Sequence, residues 1–416
     1  MRVLLTPVSL SLAFARAGLP RAATRGAGLL LLLTLPLGHA STRHFAVGGS
    51  NTNPCTEAAP CLTASAYEPD AQPGDRFLFK RGAVFTGTQF KLQPTQSGLA
   101  DNPITYGAYG QGARPLFDSG DPAMAGSGGS DGLRARNLAW LVVEDLAFVG
   151  WGSALDLGGV RDVVIRRVSS TGGSSEACVH VKQASGTPSE RVLLEDVELA
   201  GCGVNSNGEG VYIGTNPGQD GAGDPTSDMT LRRVFIHDHK EEGVEVKNCA
   251  RRVVIEESRI VGSGSNVQNH GIALAPSSAD CPGANGDHTI RRTVIEHSAA
   301  RGIHVGTGAT IEHNLLLHNG HPTNNAGIWV EDVPGDNHPV VIERNAILQS
   351  KEAAIQVQES AQATTTISGN LAWGNGSGNT PRPVPPEGGW CPPAPAPCGT
   401  QRQERQAGGM PSAAGR

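Results

Sequence analysis

Eight ionisable side chains fall within eleven residues: His237, Asp238, His239, Lys240, Glu241, Glu242, Glu245 and Lys247. Carboxylates, amines and imidazoles packed this closely can hold a hard cation and move a proton. Glu209 lies one repeat upstream of Glu242 and Glu245, and three carboxylates in one place repel unless a cation or proton intervenes. The trio therefore predicts a metal site. Ca²⁺ is the natural occupant outside the cell, as a hard ion that takes oxygen ligands. Lys247 beside it is the expected general base for removing a proton α to a uronate carboxylate. His270, one repeat later, or His180 is expected to protonate the leaving oxygen. The plainer reading of Lys247 is an ordinary ion pair with Glu245 or a neighbouring coil.

These residues need a frame, and a two-part repeat supplies it from Leu141 to about Trp373. One part reads LVVEDLAFV, VVIRRVSS, VLLEDVEL, MTLRRVFI, VVIEESRI, HTIRRTVI, ATIEHNLLL, VVIERNAIL and TTTISGNLA. Between these copies fall ALDLG, CVHVK, GVYIG, GVEVK, GIALA, GIHVG, GIWVE and AIQVQ. Both parts alternate apolar and polar residues with period two and are rich in Val and Ile. The second parts begin 24 to 33 residues apart. That spacing suits one coil of an all-β, single-stranded right-handed parallel β-helix, whose corners absorb variable insertions. In the stretch 229–260, a short strand Met229–Ile236 is expected, then a polar corner His237–Glu242 and a five-residue strand Gly243–Lys247. Asn314, Asn345 and Asn370 share one repeat position, which predicts stacked amides hydrogen-bonded from coil to coil.

Equivalent residues of stacked parallel strands lie about 4.8 Å apart, so the second parts can be read as columns. The middle outward column runs Asp156, His180, Tyr212, Glu245, Ala273, His304, Trp329, Gln356. The next runs Gly158, Lys182, Gly214, Lys247, Ala275, Gly306, Glu331, Gln358. Glu176, Glu209, Glu242, His270 and Arg301 are expected at the leading corner. A solvated face of mixed charge needs none of these particular types. An acidic polysaccharide would use them: Tyr212 and Trp329 for stacking on sugar faces, His180, Arg301 and His304 for its polar and charged groups.

The totals agree with short strands and tight corners: 416 residues, 55 of them glycine and only 4% aromatic. The net charge of −6 provides no long-range pull toward nucleic acid or anionic membranes. Residues 1–40 read as an export signal, with Arg16, Arg21 and Arg25 ahead of an apolar core Leu29–Leu37 and small residues near Ala40. The expected location is secreted, periplasmic or cell-surface, with no membrane span. Eight cysteines in an exported chain favour disulfides. Cys55/Cys61 and Cys391/Cys398 are near in sequence, and Cys178/Cys202 and Cys249/Cys281 are about one repeat apart. Residues 41–140 form a cap and first coils, 141–374 the repeats, and 375–416 a Pro/Gly-rich disordered tail. A monomer is expected.

Within 41–140 the residues Pro73-Gly74-Asp75, Phe77, Gly82, Phe85, Gly87, Asn102-Pro103-Ile104-Thr105 and Ala108-Tyr109-Gly110 resemble the N-terminal cap of secreted parallel β-helix proteins. Cap and repeats together resemble the family 6 polysaccharide lyases, which include chondroitinase B and alginate lyases. That resemblance implies a Ca²⁺ held by glutamates, a lysine base and a catalytic arginine. Glu242, Glu245 and Lys247 are similar to this pattern, with two departures. Lys247 follows the second glutamate by only two residues, and the next coil reads Gln268-Asn269-His270-Gly271 with no arginine; Arg301 comes one coil later. A non-catalytic glycan-binding or structural β-helix is the rival reading.

Overall fold

The computed structural model describes residues 40–376, apart from 122–129, 174–176, 204–207, 216–222, 248, 263–269, 276–285, 322–324 and 332–337. The export signal at 1–39, Glu176 and the tail from 377 onward lie outside the described residues.

Each coil turns because its apolar alternation slips phase. In the coil beginning at Met229, the buried residues are Leu231, Val234, Ile236, Val244 and Val246. The step of three from Leu231 to Val234 breaks the period of two, and Arg233 between them takes a left-handed backbone, φ 51°. The single strand expected over Met229–Ile236 is therefore two strands, Thr230–Arg232 and Phe235–His239, separated by a bend. The coil has three strands rather than two, and part of the expected polar corner, His237–His239, is strand. The same bend recurs at Asp145, Arg167, Asp196, Glu257, Arg292, His313 and Arg344. Polar residues accept the left-handed conformation at modest cost, and most of these also carry charge.

Among the described residues the strands form three sheets of twelve, eleven and nine strands, and every strand-to-strand ladder is parallel. Val, Ile and Leu from all three sheets fill the interior. At the N-terminal end the filling is aromatic: Phe85, Phe117 and Phe148 stack at centroid spacings of 5.2 and 5.4 Å. These rings form an aromatic stack inside the first coils.

Two devices lock the coils in register. The expected amide ladder is present: Asn314 Nδ2 donates to Asn345 Oδ1 at 3.0 Å, and Asn345 Nδ2 to Asn370 Oδ1 at 2.9 Å. Ser258 and Thr293 continue that ladder toward the N-terminus through their hydroxyls. At the bend, charge alternates from coil to coil. Arg167 pairs with Asp145 at 2.9 Å, Arg233 with Asp196 at 2.7 Å, and Arg292 with Glu257 at 3.1 Å. A slip of one coil would set like charges side by side, so the pattern specifies register even where each exposed pair adds little stability.

Disulfides Cys55–Cys61 and Cys178–Cys202 are formed as expected. Cys249 is also disulfide-bonded, while Cys281, Cys391 and Cys398 lie outside the described residues.

Candidate functional site

The candidate site lies on the outer face of the nine-stranded sheet. Its register reproduces the expected columns: His180 stands opposite Tyr212, Tyr212 opposite Glu245, Glu245 opposite Ala273, Ala273 opposite His304 and His304 opposite Trp329. At the leading corner Gly210 N–H donates to Glu242 O and Gly243 N–H to His270 O, which sets Glu209, Glu242, His270 and Arg301 on successive coils. On the preceding coil Ala177 pairs with Glu209. Glycine follows this corner for a steric reason. A Cβ on Gly243 would lie 2.3 Å from Ile260 Cγ2 and 2.6 Å from Gly271 O. The glycine column brings the outer sheet against the Ile column behind it, and so pulls the preceding glutamates inward.

Glu209, Glu242 and Glu245 come together, with one carboxylate oxygen of each within 4.8 Å of the others. Glu209 is 3% exposed and Glu242 8%, and among the described residues Glu209 Oε2 has no hydrogen-bond partner. Burial pushes the Glu242 carboxyl up to about 9, helped by Glu245, Glu209 and Glu241. Burial does the same to Glu209, up to about 8, with Glu245 and Glu241 adding to it. These are the properties of carboxylates gathered for a positive charge: hard oxygen donors, close together and under-solvated. The donor set fits Ca²⁺.

Lys247 touches this cluster through an ion pair with Glu245. Its ammonium also lies 4.6 Å from the centroid of the Tyr212 ring, so one face of Tyr212 is covered. His180 meets Tyr212 edge-on at 4.7 Å. The His180 Nε2 lies 3.2 Å from Gly214 O, and Lys182 Nζ lies 3.3 Å from its Nδ1. The imidazole therefore donates to the carbonyl and accepts from the ammonium.

A second group occupies the later coils. His270 is buried, and the Arg301 backbone N–H donates to its Nδ1 at 3.1 Å. That bond leaves the ring hydrogen on Nε2. Burial, with His304 and Arg301 nearby, depresses the His270 pKa to about 3. His270 is thus a neutral hydrogen-bond donor, not an imidazolium. His304 packs 5.3 Å from it and pairs with Glu331 at 2.8 Å. The Arg301 guanidinium sits 3.5 Å over the Trp329 ring centroid, so Trp329 has one face taken by a cation.

Parallel coils, a three-sided cross-section and this column register decide the fold family, and the sequence agrees. A family model described as "right handed beta helix region" matches residues 153–332 and 285–380. The chain belongs to the right-handed β-helix family. Three solved β-helix structures are similar to it. An alginate lyase from Paenibacillus sp. str. FPU-7 has a TM-score of 0.59 and 17% identity, over 78% of this chain and 99% of that one. Pectate lyase Pel9A has a TM-score of 0.58 and 15% identity, covering 80% of each chain. The surface protein and adhesin PfbA of Streptococcus pneumoniae has a TM-score of 0.53 and 12% identity, over 76% of this chain and 86% of that one. No match was found among curated protein sequences. Among the described residues, no helix of this β-helix chain is long and apolar enough to cross a membrane.

The sequence columns reached Asp156 and Lys182 on this face but not Lys91, Asp131, Arg134 and Arg136, which form a cluster with them. Asp131 and Asp156 are buried at its N-terminal end, among Lys91, Arg134, Arg136 and Lys182. The strand that carries it, Asp131–Arg136, lies ahead of the repeats read from sequence. Its DGLRAR alternation was the available signal. The histidines His313 and His297 are exposed, each with a left-handed backbone.

Proposed function

We propose that this β-helix protein, exported from the cell, acts on an acidic polysaccharide lying along the outer face of the nine-stranded sheet. The proposed reaction is cation-assisted β-elimination. The observation that carries the reading is the convergence of Glu209, Glu242 and Glu245 beside Lys247. Glu209, Glu242 and Glu245 would hold Ca²⁺, which when bound supplies positive charge to neutralise the uronate carboxylate and acidify the adjacent C–H.

Lys247 is the base. As the free amine it takes the proton α to the carboxylate, the electron pair forms the ring double bond, and the glycosidic C–O bond breaks toward the departing chain. The lysine can act only when released from its ion pair with Glu245. His270 offers its Nε2–H to the leaving oxygen as a hydrogen-bond donor, a role that a neutral imidazole performs well. Departure of the oxygen as an alcohol requires a proton, supplied by water or by Lys247 after it is charged. Arg301, His304 and Trp329 bind the sugars beyond, and His180 and Tyr212 those before. The alginate and pectate lyases of similar fold support this reading, as a precedent for the scaffold.

One observation favours the rival class. The Lys247 ammonium is engaged by both Glu245 and the Tyr212 ring, an arrangement that also serves a non-catalytic glycan-binding surface, and an adhesin shares the fold. The separating experiment incubates the protein with alginate, pectate and glycosaminoglycans, with and without EDTA, and follows the ultraviolet absorbance of unsaturated uronate. Absorbance that EDTA suppresses supports elimination. Binding without absorbance on any polymer leaves the binding protein.

A further inference from the structure

The cluster around Asp131 and Asp156 presents an unspent fork of donors. Asp131 and Asp156 are 3% and 6% exposed. Lys91 Nζ lies 3.6 Å and Arg134 Nε 3.7 Å from Asp131 Oδ2. Arg134 Nε also lies 3.8 Å from Asp156 Oδ2, and Lys182 Nζ 3.7 Å from Asp156 Oδ1. Arg136 is committed: it pairs with Asp156 and donates to the backbone oxygens of Asp156 and Ala135 at 2.8 and 3.0 Å. Four cations thus surround two buried carboxylates.

Arg134 differs from Arg136. Its two carboxylate contacts are too long for hydrogen bonds, its side chain is 41% exposed, and among the described residues no hydrogen bond uses its guanidinium. Two buried aspartates therefore hold the cation between them without consuming its donors. Asp131 Oδ2 and Asp156 Oδ1 are themselves without hydrogen-bond partners among the described residues, so the pair acts as a charge cradle. A guanidinium presented this way matches a planar or tetrahedral oxyanion through two parallel N–H bonds.

Arg134 shares the outward column of the proposed site, directly opposite Asp156, which stands opposite His180. From Arg134 to Glu245 is four strand steps, about 19 Å along the sheet at the usual strand spacing. We propose that Arg134, held by Asp131 and Asp156 and flanked by Lys91 and Lys182, is a subsite for a carboxylate or sulfate group of an acidic glycan. It would anchor the bound chain four coils from Lys247 and fix which way that chain runs. The inference rests on reading this face as a polysaccharide site, but not on the chemistry at Lys247.

The test titrates the full-length protein and its Arg134→Gln and Arg134→Lys variants at low ionic strength with three probes: polygalacturonate, dextran sulfate and dextran. Loss of a charge-assisted, two-pronged contact should weaken binding of polygalacturonate, dextran sulfate or both by roughly ten-fold or more in R134Q. Dextran should bind none of the proteins. The polymer that responds identifies the anion as carboxylate or sulfate. R134K keeps a cation between the two aspartates, so it folds if R134Q does not, and it should lose part of the affinity because its point charge cannot replace the fork. Wild-type affinity for both anionic polymers in the two variants would overturn the subsite, as would dextran binding as tight as the others. Weakened binding in R134Q with no unsaturated product from the wild type would retain the subsite while ending the elimination reading.

Discussion

Replacing Glu242 by Gln should have opposite consequences with and without a divalent cation. The three carboxylate oxygens lie within 4.8 Å of one another. At an effective dielectric of about 20, each ionised pair at that distance costs about 3.5 kcal/mol. Burial raises the folded Glu242 carboxyl to about 9, with Glu245, Glu209 and Glu241 adding to it, so it holds a proton when no cation is present. A carboxyl raised in the folded state stabilises the fold least at high pH, so stability should fall as pH climbs from about 4.5 toward 9. At pH 8 in EDTA, the isosteric neutral Gln removes this burden and should stabilise the protein by between about 2 and 5 kcal/mol. With calcium the pattern changes. Wild type should gain about 2.7 kcal/mol at a hundred times the dissociation constant, and E242Q much less, having lost a ligand. Urea unfolding at pH 8 in EDTA and in millimolar calcium reads both effects. A destabilised E242Q in EDTA, or equal calcium shifts in the two proteins, would refute the reasoning.

Asn345 makes four hydrogen bonds in the amide ladder, to Asn314 N and Nδ2, Ile311 O and Asn370 Oδ1. N345L takes the partner from Asn314 N and Ile311 O, while Asn314 Nδ2 keeps Ile290 O and Asn370 Oδ1 keeps the Asn345 backbone N–H. It should cost roughly 2 to 6 kcal/mol in urea unfolding, at about 1 to 3 kcal/mol per orphaned group. His288 is buried, takes a hydrogen bond from Val253 N–H, and has its pKa pushed down to about 3 by burial. The unfolded chain then binds the proton first, so stability should fall as pH drops from about 6.5 toward 3, by up to about 1.4 kcal/mol per pH unit. H288N, measured over that window, should flatten the slope. Ala at Arg301 uncovers one face of Trp329, and intrinsic fluorescence should report whether added polygalacturonate then reaches that ring.

The coil columns were legible because register follows from counting. Once the period-two segments are aligned on Gly210, Gly243 and Gly271, every outward residue has one place. Asn314, Asn345 and Asn370 were legible for the same reason, as identical residues at one repeat position. The bends were not. Arg233 sits inside an apolar run, and only the three-residue step from Leu231 to Val234 betrays it. The burial of His239, 1% exposed, was also hidden, because HDHKEE reads as a polar corner while its third residue points into the strand interior. Asp131 escaped notice because its strand lies ahead of the aligned repeats, and Asp156, though placed in the outward column, looks like a surface aspartate until its coil neighbours are known. Of the candidate site, the grouping of Glu209, Glu242, Glu245 and Lys247 was legible. The covered faces of Tyr212 and Trp329 depend on where lysine and arginine side chains settle, and sequence does not carry that.

The central claim is that Lys247 removes a proton from an acidic sugar bound beside the glutamate trio. Its most direct test is unsaturated-uronate absorbance from the wild type and Lys247→Ala, each with the same polymer in calcium and in EDTA, with polymer binding measured in parallel. Absorbance is expected for the wild type in calcium, little in EDTA, and none for K247A although it still binds polymer. An unchanged rate in K247A, or polymer bound by the wild type with no absorbance, would contradict it.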